Sequence, residues 1–454
     1  MALKIFEIDF AEISRINSLF LTTRIKNYNQ KYFFNYLPLS YFLDKKNEFT
    51  LGKIKREDYQ ISGKFPVIDQ SQEFIAGYSD EDDLVYSGNL PVIIFGDHTR
   101  IFKYVDFKFI QGADGIKVIK LKEEIVNLKF FYYLMAKISV PSRGYNRHFS
   151  VLMKQKYPLI PKEKQDQIVA QIEPIEKKIK ELKATIKDPQ IIINQVFARE
   201  FGFDINLINE FGKGMTSGTQ IAQERNLRVF ETDFKELSRS KTLRSSTRFH
   251  NPPTKKLMDL LDSIETIQVK DILLEPIHRG ATPKYNPDGE IPVVKTGHLK
   301  NGYIEISQDE FVDIEFYKNS IRSQIKIRDI LIASTGKVSL GKIDLLEEDQ
   351  RLVADSHISI IRIDDKKYSR QFFTYFFRSI IGSGQIERDF TGTTNQIELY
   401  ADEISNFQIP NIPLSEQQRI VDEIKAELDK QEEIKKQIEA ERNKIDEIIE
   451  QAIK

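Results

Sequence analysis

Residues 407–434 read FQIPNIPLSEQQRIVDEIKAELDKQEEI, and residues 157–182 read YPLIPKEKQDQIVAQIEPIEKKIKEL. Setting Pro161 against Pro413 also sets Pro158 against Pro410, Ile160 against Ile412, Gln165 against Gln417, Ile168 against Ile420, Val169 against Val421 and Ile172 against Ile424. Each stretch passes from a proline-bounded extended segment into an amphipathic helix. A second pair of matching stretches lies upstream. Of the 22 residues from Phe6 to Asn27, 11 are identical to those 224 positions later, among them Phe6 and Phe230, Asp9 and Asp233, Arg15 and Arg239, Arg24 and Arg248. A chain that repeats both the opening and the closing text of a segment is built from a duplicated unit. That unit is a mixed domain followed by a helix.

The helices carry the clearest periodicity. Ile168, Ile172, Ile175, Ile179, Leu182 and Ile186 recur at alternating steps of four and three, the seam of a heptad helix, with Lys and Glu elsewhere. Pro174 predicts a short kink or restart. In the second copy Ile420, Ile424, Leu428, Ile434, Ile438, Ile445, Ile448 and Ala452 form a similar stripe after a cap region at Ser415 and Glu416. From Ser415 to Lys454 such a helix is about 60 Å long. A narrow apolar seam has to be buried, and the repeat supplies a partner of equal width, so an antiparallel intramolecular pair is expected. Two surface helices on separate domains are the alternative.

Between these markers the text is strand-like. FPVIDQ, LPVIIFGD, FKFIQG and GIKVIKL in the first copy, and IPVVKTG, YIEISQ, DILIAST and HISIIRI in the second, are short, β-branched or aromatic, and bounded by turn residues. Each set is followed by an aromatic helical stretch, KFFYYLMAKI or RQFFTYFFRSI, and then by a polar loop, VPSRGYNRHFS or RDFTGTTNQIE. Residues 201–224, around FGKGMTSGTQ, read as a connector. The fold class expected is α+β, with two mixed α/β domains, two long helices forming an antiparallel coiled coil, and an internal pseudo-two-fold repeat.

A length of 454 residues suits two or three domains. With 40% hydrophobic and 30% charged residues the chain is globular, and no apolar run approaches the roughly 20 residues of a membrane span. MALKIFEIDF meets acids too early for a secretory signal, and the zero cysteine count excludes disulfides and thiolate metal sites, so a cytoplasmic address is expected. Charge balances overall, at 67 Lys plus Arg against 68 Asp plus Glu, but not locally. Residues 13–43, 125–162 and 237–258 contain no acid; they hold Arg15, Arg24, Arg143, Arg147, Arg239, Arg244 and Arg248 among lysines and aromatics. Basic, aromatic-interleaved stretches at equivalent places of a duplicated unit fit a reader of duplex DNA, since Lys and Arg neutralise phosphates while Asn, Gln, Arg and His address base edges. Each stretch taken singly is also compatible with ordinary solvated surface.

Catalytic motifs are wanting. GKVSLGKI at 336–343 has the glycine and lysine spacing of a phosphate loop, but Ile343 stands where Ser or Thr is required. NPPT at 251–254 has the form of an adenine-methylating tetrapeptide without its final aromatic residue. Asp97, Asp106 and Lys108 are the nearest thing to a nuclease cluster, and six histidines without metal-ligand spacing give no metal site.

The closing signature IPxIPxxEQxxIVxxI followed by a heptad helix, and the repetition of the whole unit, resemble the specificity subunit of type I restriction-modification enzymes. Here it stands as FQIPNIPLSEQQRIVDEI and as YPLIPKEKQDQIVAQI, where Lys164 replaces the glutamate. IIINQVFAREFGFD at 191–204 and LRSSTRFHNP at 243–252 are similar to connector text of the same family. The resemblance implies a target recognition domain over 1–158, a central helix region over 159–200, a connector over 201–226, a second recognition domain over 227–410 and a C-terminal helix over 411–454. It implies a non-catalytic DNA-reading subunit. Each domain would read half of a bipartite duplex target, while the helices set the spacing and dock methylation subunits, two in number, with restriction subunits joining through the complex. S-adenosylmethionine, ATP and magnesium would belong to those partners, with no cofactor and no membrane association for this chain. A specificity subunit working with a combined methylase-nuclease, and a coiled-coil adaptor without a DNA role, are the alternatives.

Polar loops after strands or aromatic helices are the places from which side chains can be aimed at DNA. The candidate contacts are Gln70, Asp97, His98, Thr99, Arg100, Ser142, Arg143, Tyr145, Asn146, Arg147 and His148 in the first copy. In the second they are Lys284, Tyr285, Lys295, Thr296, His298, Ser334, Thr335, Lys337, Thr393, Thr394, Asn395 and Gln396. The candidate helix interface is Ile168, Ile172, Ile175, Ile179, Leu182 and Ile186 with Ile420, Ile424, Leu428, Ile438 and Ile445.

Overall fold

The computed structural model describes residues 35–44, 52–112, 115–138, 140–141, 147–206, 247–250, 252–393 and 396–454. The repeated opening text of 6–27, its counterpart as far as Ser246, and the expected connector from residue 207 to 226 lie outside them. The chain divides into two compact units, Met1–Thr185 with Ile434–Lys454, and Ile186–Glu433.

The strands of the first unit are β1 (Tyr36–Pro38), β2 (Lys53–Ile54), β3 (Phe65–Ile68), β4 (Gly77–Ser79), β5 (Val92–Gly96), β6 (Phe102–Val105), β7 (Ile110–Gly112), β8 (Ile116–Ile119) and β9 (Lys156–Pro158). β5 is buried along its whole length, which is why VIIFG is continuously apolar rather than alternating. It lies antiparallel to both β6 and β8. In the second sheet β3 runs antiparallel to β4 and parallel to β7. Helix α1 (Leu128–Lys137) begins at Asn127, whose side chain accepts the N–H groups of Lys129 and Phe130 at 3.0 and 3.1 Å. It sinks Phe130, Phe131, Leu134 and Met135 into the core. Helix α2 (Lys162–Thr185) follows β9 and adds Ile168, Val169 and Ile172 to the same core.

The second unit starts with α3 (Pro189–Phe201), capped by Asp188, opened by a proline and closed by Gly202 at φ 71°. After α4 (Pro252–Ser263) come β10 (Thr266–Gln268), β11 (His278–Arg279), β12 (Ile291–Val294), β13 (Phe311–Val312), β14 (Gln324–Ile325), β15 (Ile330–Ala333), β16 (Ile343–Leu345), β17 (Leu352–Ala354) and β18 (Ile358–Ile361). β15 is antiparallel to β16 and β18, while β12 is antiparallel to β13 and parallel to β17. The pairing plan of β3 to β8 is thus repeated. The aromatic helix α5 (Arg370–Arg378) leads into α6 (Ile380–Asp389), the hairpin β19 (Thr391–Thr393) and β20 (Gln396–Glu398), β21 (Gln408–Pro410) and α7 (Leu414–Ile453). β21 pairs with β10 as β9 pairs with β1, each just before the long helix. YIEISQ, expected as a strand, forms only a single bridge between Ile304 and Leu299.

The helix seams differ from the single pair expected. Ile168, Ile172, Ile175 and Ile179 of α2 share a cluster with Ile445, Ile448, Ile449 and Ala452 of α7, and Lys178 reaches Glu441 at 2.6 Å. Ile420, Ile424 and Leu428 instead belong to a cluster in the second unit with Ile193, Val196 and Phe197 of α3. The seam changes partner because Asp188–Pro189 starts a new helix, which leaves Ile186 exposed and Leu182 half-buried. Pro174 does not interrupt α2. It stands on the exposed face, where the freed carbonyl of exposed Ala170 is open to water. Ile438 is buried, and toward the C-terminus Ile449 is more deeply buried than Ile448.

Candidate nucleic-acid interface

In the first unit the chain leaves β5 at Gly96 and turns back at once into β6. Arg100 takes a left-handed φ of 63°, and its N–H donates to the Gly96 carbonyl at 2.7 Å, closing the turn. Asp97 is buried at 3% exposure. Its N–H donates to Gly115 at 2.6 Å, and its backbone carbonyl accepts the N–H of His148 at 2.9 Å. Its carboxylate accepts the N–H groups of His148 and Phe149 at 2.8 and 2.7 Å. Arg100 donates to the carbonyl of Val140 at 3.0 Å, and the His98 N–H donates to the Gln70 side chain at 3.2 Å. Gln70, Asp97, His98, Arg100 and His148 are therefore brought together, with Thr99 and Arg147 exposed beside them. His148 is buried. Ser142, Arg143, Tyr145 and Asn146 lie outside the described residues. Beneath the turn Lys103 is buried and donates to the carbonyl of Asp69 at 2.8 Å, next to Gln70. Burial lowers its pKa, against the pull of Asp69 and Glu73.

The second unit uses the same strand ends. Ser334 follows β15 as Asp97 follows β5; its N–H donates to His357 and its carbonyl accepts the N–H of Leu399, both at 2.9 Å. Ser334 is fully buried, with its hydroxyl on that of Ser359 at 2.6 Å. Thr335 bonds through its hydroxyl to the His357 ring at 2.8 Å, and the His357 N–H donates to Asp355 at 2.9 Å. The Asp355 N–H in turn donates to Val294 at 3.0 Å, which brings the Lys295–His298 turn to the same place. Lys295 pairs with Glu310, lies 4.7 Å from the ring centroid of exposed Tyr285, and donates its N–H to the His298 ring at 3.2 Å. The hydrogen bond that Lys295 donates to Glu310 raises its pKa, and burial raises that of Asp355. Thr296 is half-buried; Lys284 and Lys337 are exposed and tied in no ion pair among the described residues. Thr393 and Gln396 are backbone partners in the β19–β20 pair, and Thr394 and Asn395 lie outside the described residues.

Several members of this cluster had no signal of their own in the sequence. Arg279 pairs with Glu398 and donates to the Leu399 carbonyl at 2.9 Å, while Tyr400 donates to Glu398 at 2.7 Å and lies 5.5 Å from the Arg279 guanidinium. Tyr400 and then Arg279 hold the Glu398 carboxyl below its usual range. Asp355, His357 and Tyr400 were legible only as polar residues after buried strand text. The discarded motifs have plain roles. GKVSLGKI is the turn between β15 and β16, followed by a strand, and Thr254 of NPPT is buried on α4.

Arranged this way, strand-end loops present amides, hydroxyls, imidazoles and cations from rigid sheets, the kind of surface that meets phosphates and base edges. Three solved structures are similar to this chain over most of its length. The S subunit of a type I restriction-modification system from M. genitalium is 14% identical, with 94% of this chain and 98% of that one covered and a TM-score of 0.42. A structure describing complex assembly and conformational transition of the type I R-M system gives 12% identity, 92% and 97% coverage, and a TM-score of 0.43. The HsdS subunit from Thermoanaerobacter tengcongensis gives 12% identity, 92% and 96% coverage, and a TM-score of 0.33. No curated protein matches the sequence. Residues 262–443 match the family model described as the type I restriction modification DNA specificity domain. That segment, which contains the β12–β18 strands, the Ser334–His357–Leu399 junction and most of α7, is the part of the chain that is similar to the type I restriction modification DNA specificity domain.

Proposed function

We propose that each unit reads one half of a bipartite duplex DNA target, and that the long helices set the spacing between the halves and dock two methylation subunits, restriction subunits joining through the complex. The chain itself is non-catalytic in this reading and works in the cytoplasm. S-adenosylmethionine, ATP and magnesium are bound by the partners.

The observation that carries the reading is the repetition of one junction in two units of the same strand plan. After β5, Asp97 bonds Gly115 on one side and His148 on the other; after β15, Ser334 bonds His357 and Leu399 in the same sense. A scaffold that holds its strand-end loops in the same way twice, with different side chains on them, suits two readers of different sequences. The test is an exchange of residues 1–158 for the matching domain of a related chain, followed by profiling of the methylated sites. One half of the target should change and the other should stay. A change in both halves together would contradict independent readers.

A further inference from the structure

The Asp97 carboxylate is nearly inaccessible, yet it sits in a loop otherwise suited to touching DNA. One of its oxygens, Oδ1, accepts the N–H groups of His148 and Phe149 at 2.8 and 2.7 Å, at the start of the short helix Phe149–Leu152. Three residues on, Arg100 donates to the carbonyl of Val140 at 3.0 Å. The β5–β6 turn therefore holds the chain on both sides of Arg147, at Val140 before it and at His148 immediately after it. Arg147 is exposed, whereas both anchor residues are buried. In the second unit Ser334 keeps the backbone bonds, but its hydroxyl turns to Ser359 instead, so the carboxylate arm is particular to the first unit.

We propose that Asp97 is a positioning residue for the first reader: its buried carboxylate fixes the place and direction from which Arg147 approaches the first half-site, without touching the bases itself. A bidentate Arg contact to a guanine edge depends on both distance and angle, so an anchor one residue away governs how well the two bases of a pair are told apart. The inference rests on the proposed reading of a bipartite target.

The experiment uses the full-length chain assembled with its methylation partner and selects bound duplexes from a random library, with thermal unfolding followed in parallel. For Asp97→Ala, base preference in the first half-site should fall about five- to tenfold, the low end of the effect of one lost base contact because Arg147 itself is kept, while preference in the second half-site stays at the wild-type level. For Asp97→Asn, both preferences should stay, because the Asn side-chain oxygen still accepts both N–H groups. A carboxylate that contacted bases directly would lose selectivity in both variants, and that result would overturn the proposal. So would full first-half preference in Asp97→Ala. If Asp97→Ala does not fold, Asp97→Ser, the residue found at 334, takes its place; its shorter hydroxyl reaches the two amides less well, so an unchanged preference there would overturn the proposal equally. A wild-type profile with no first half-site would remove the underlying reading, and the inference with it.

Discussion

Gln165 and Gln417, at matching places in the two closing signatures, make the same two hydrogen bonds. Gln165 donates to the Ile160 carbonyl at 2.7 Å and accepts the N–H of Asn127 at 2.8 Å. Gln417 donates to the Ile412 carbonyl at 2.9 Å and accepts the N–H of Ser369 at 2.8 Å. Asn127 and Ser369 are the residues whose side chains cap the aromatic helices α1 and α5. Each glutamine therefore ties the start of a long helix to the start of the aromatic helix of its own unit. Both are about 1% exposed, so water cannot replace the lost partners. Gln417→Ala or Gln165→Ala should each destabilise its unit by about 1–3 kcal/mol, the cost of leaving a buried N–H and carbonyl unpaired. Urea unfolding checks this; a loss below about 0.5 kcal/mol for both would show that the bonds are incidental.

Asp344 offers a test by pH. Its buried carboxylate accepts the N–H groups of Lys300 and Asn301 at 2.8 and 3.0 Å and that of Gly302, yet burial pushes its pKa up to about 6. Because the folded value lies above the unfolded one, the folded protein binds the extra proton between about pH 4 and 6. This group's contribution to stability accordingly declines as pH rises through that window, by on the order of 2–3 kcal/mol. Asp344→Asn should flatten this part of the stability profile, while costing about 1 kcal/mol through the lost acceptor. An unchanged slope in the variant would refute the assignment.

Lys284 and Lys337 are exposed and outside the Thr335–His357–Asp355 network, so if the second unit reads duplex DNA as proposed, they are expected to meet phosphates rather than bases. Replacing both with Gln should reduce the salt slope of duplex binding by about two and leave base preference intact. Binding titrations from low to moderate salt provide the measurement. A shift in preferred bases with no change of slope would assign these lysines to base reading instead.

The pairing of α2 with the end of α7 can be lengthened in register. Lys178 meets Glu441, so seven-residue insertions after Lys180 and after Ile438 keep opposing positions together and add about 10 Å of helix. If the pair sets the distance between half-sites, the preferred gap should grow by about three base pairs, at about 3.4 Å each, with weaker binding because the readers are re-phased around the duplex. An optimum still at the parental gap, with full affinity, would separate the helices from the spacing.

The sequence made the repeat, both aromatic helices and the strands β3, β5, β7, β8, β12, β15 and β18 readable, because each rests on a local period that burial enforces. It located the seam but not its partners: a coiled-coil pattern records that Ile420 and Ile424 are buried, not that α3 rather than α2 covers them. It also placed Asp97 and His148 in separate loops. Their meeting, across 51 residues, comes from the order of strands in the sheet, as does that of Ser334 with Leu399, and neither period nor composition encodes it. The same limitation applies to Arg279, whose place beside Glu398 and Tyr400 depends on how the β19–β20 hairpin docks against Ser334–Gly336 after β15.

In the function proposed, two like units read two stretches of one duplex. Selection from a fully random duplex library by the full-length chain with its methylation partner, sequenced without assuming any motif, tests it most directly. Two short blocks of different sequence, separated by an unread gap of constant length, are the result expected. A single contiguous block, two blocks at freely varying distance, or no enrichment would contradict it.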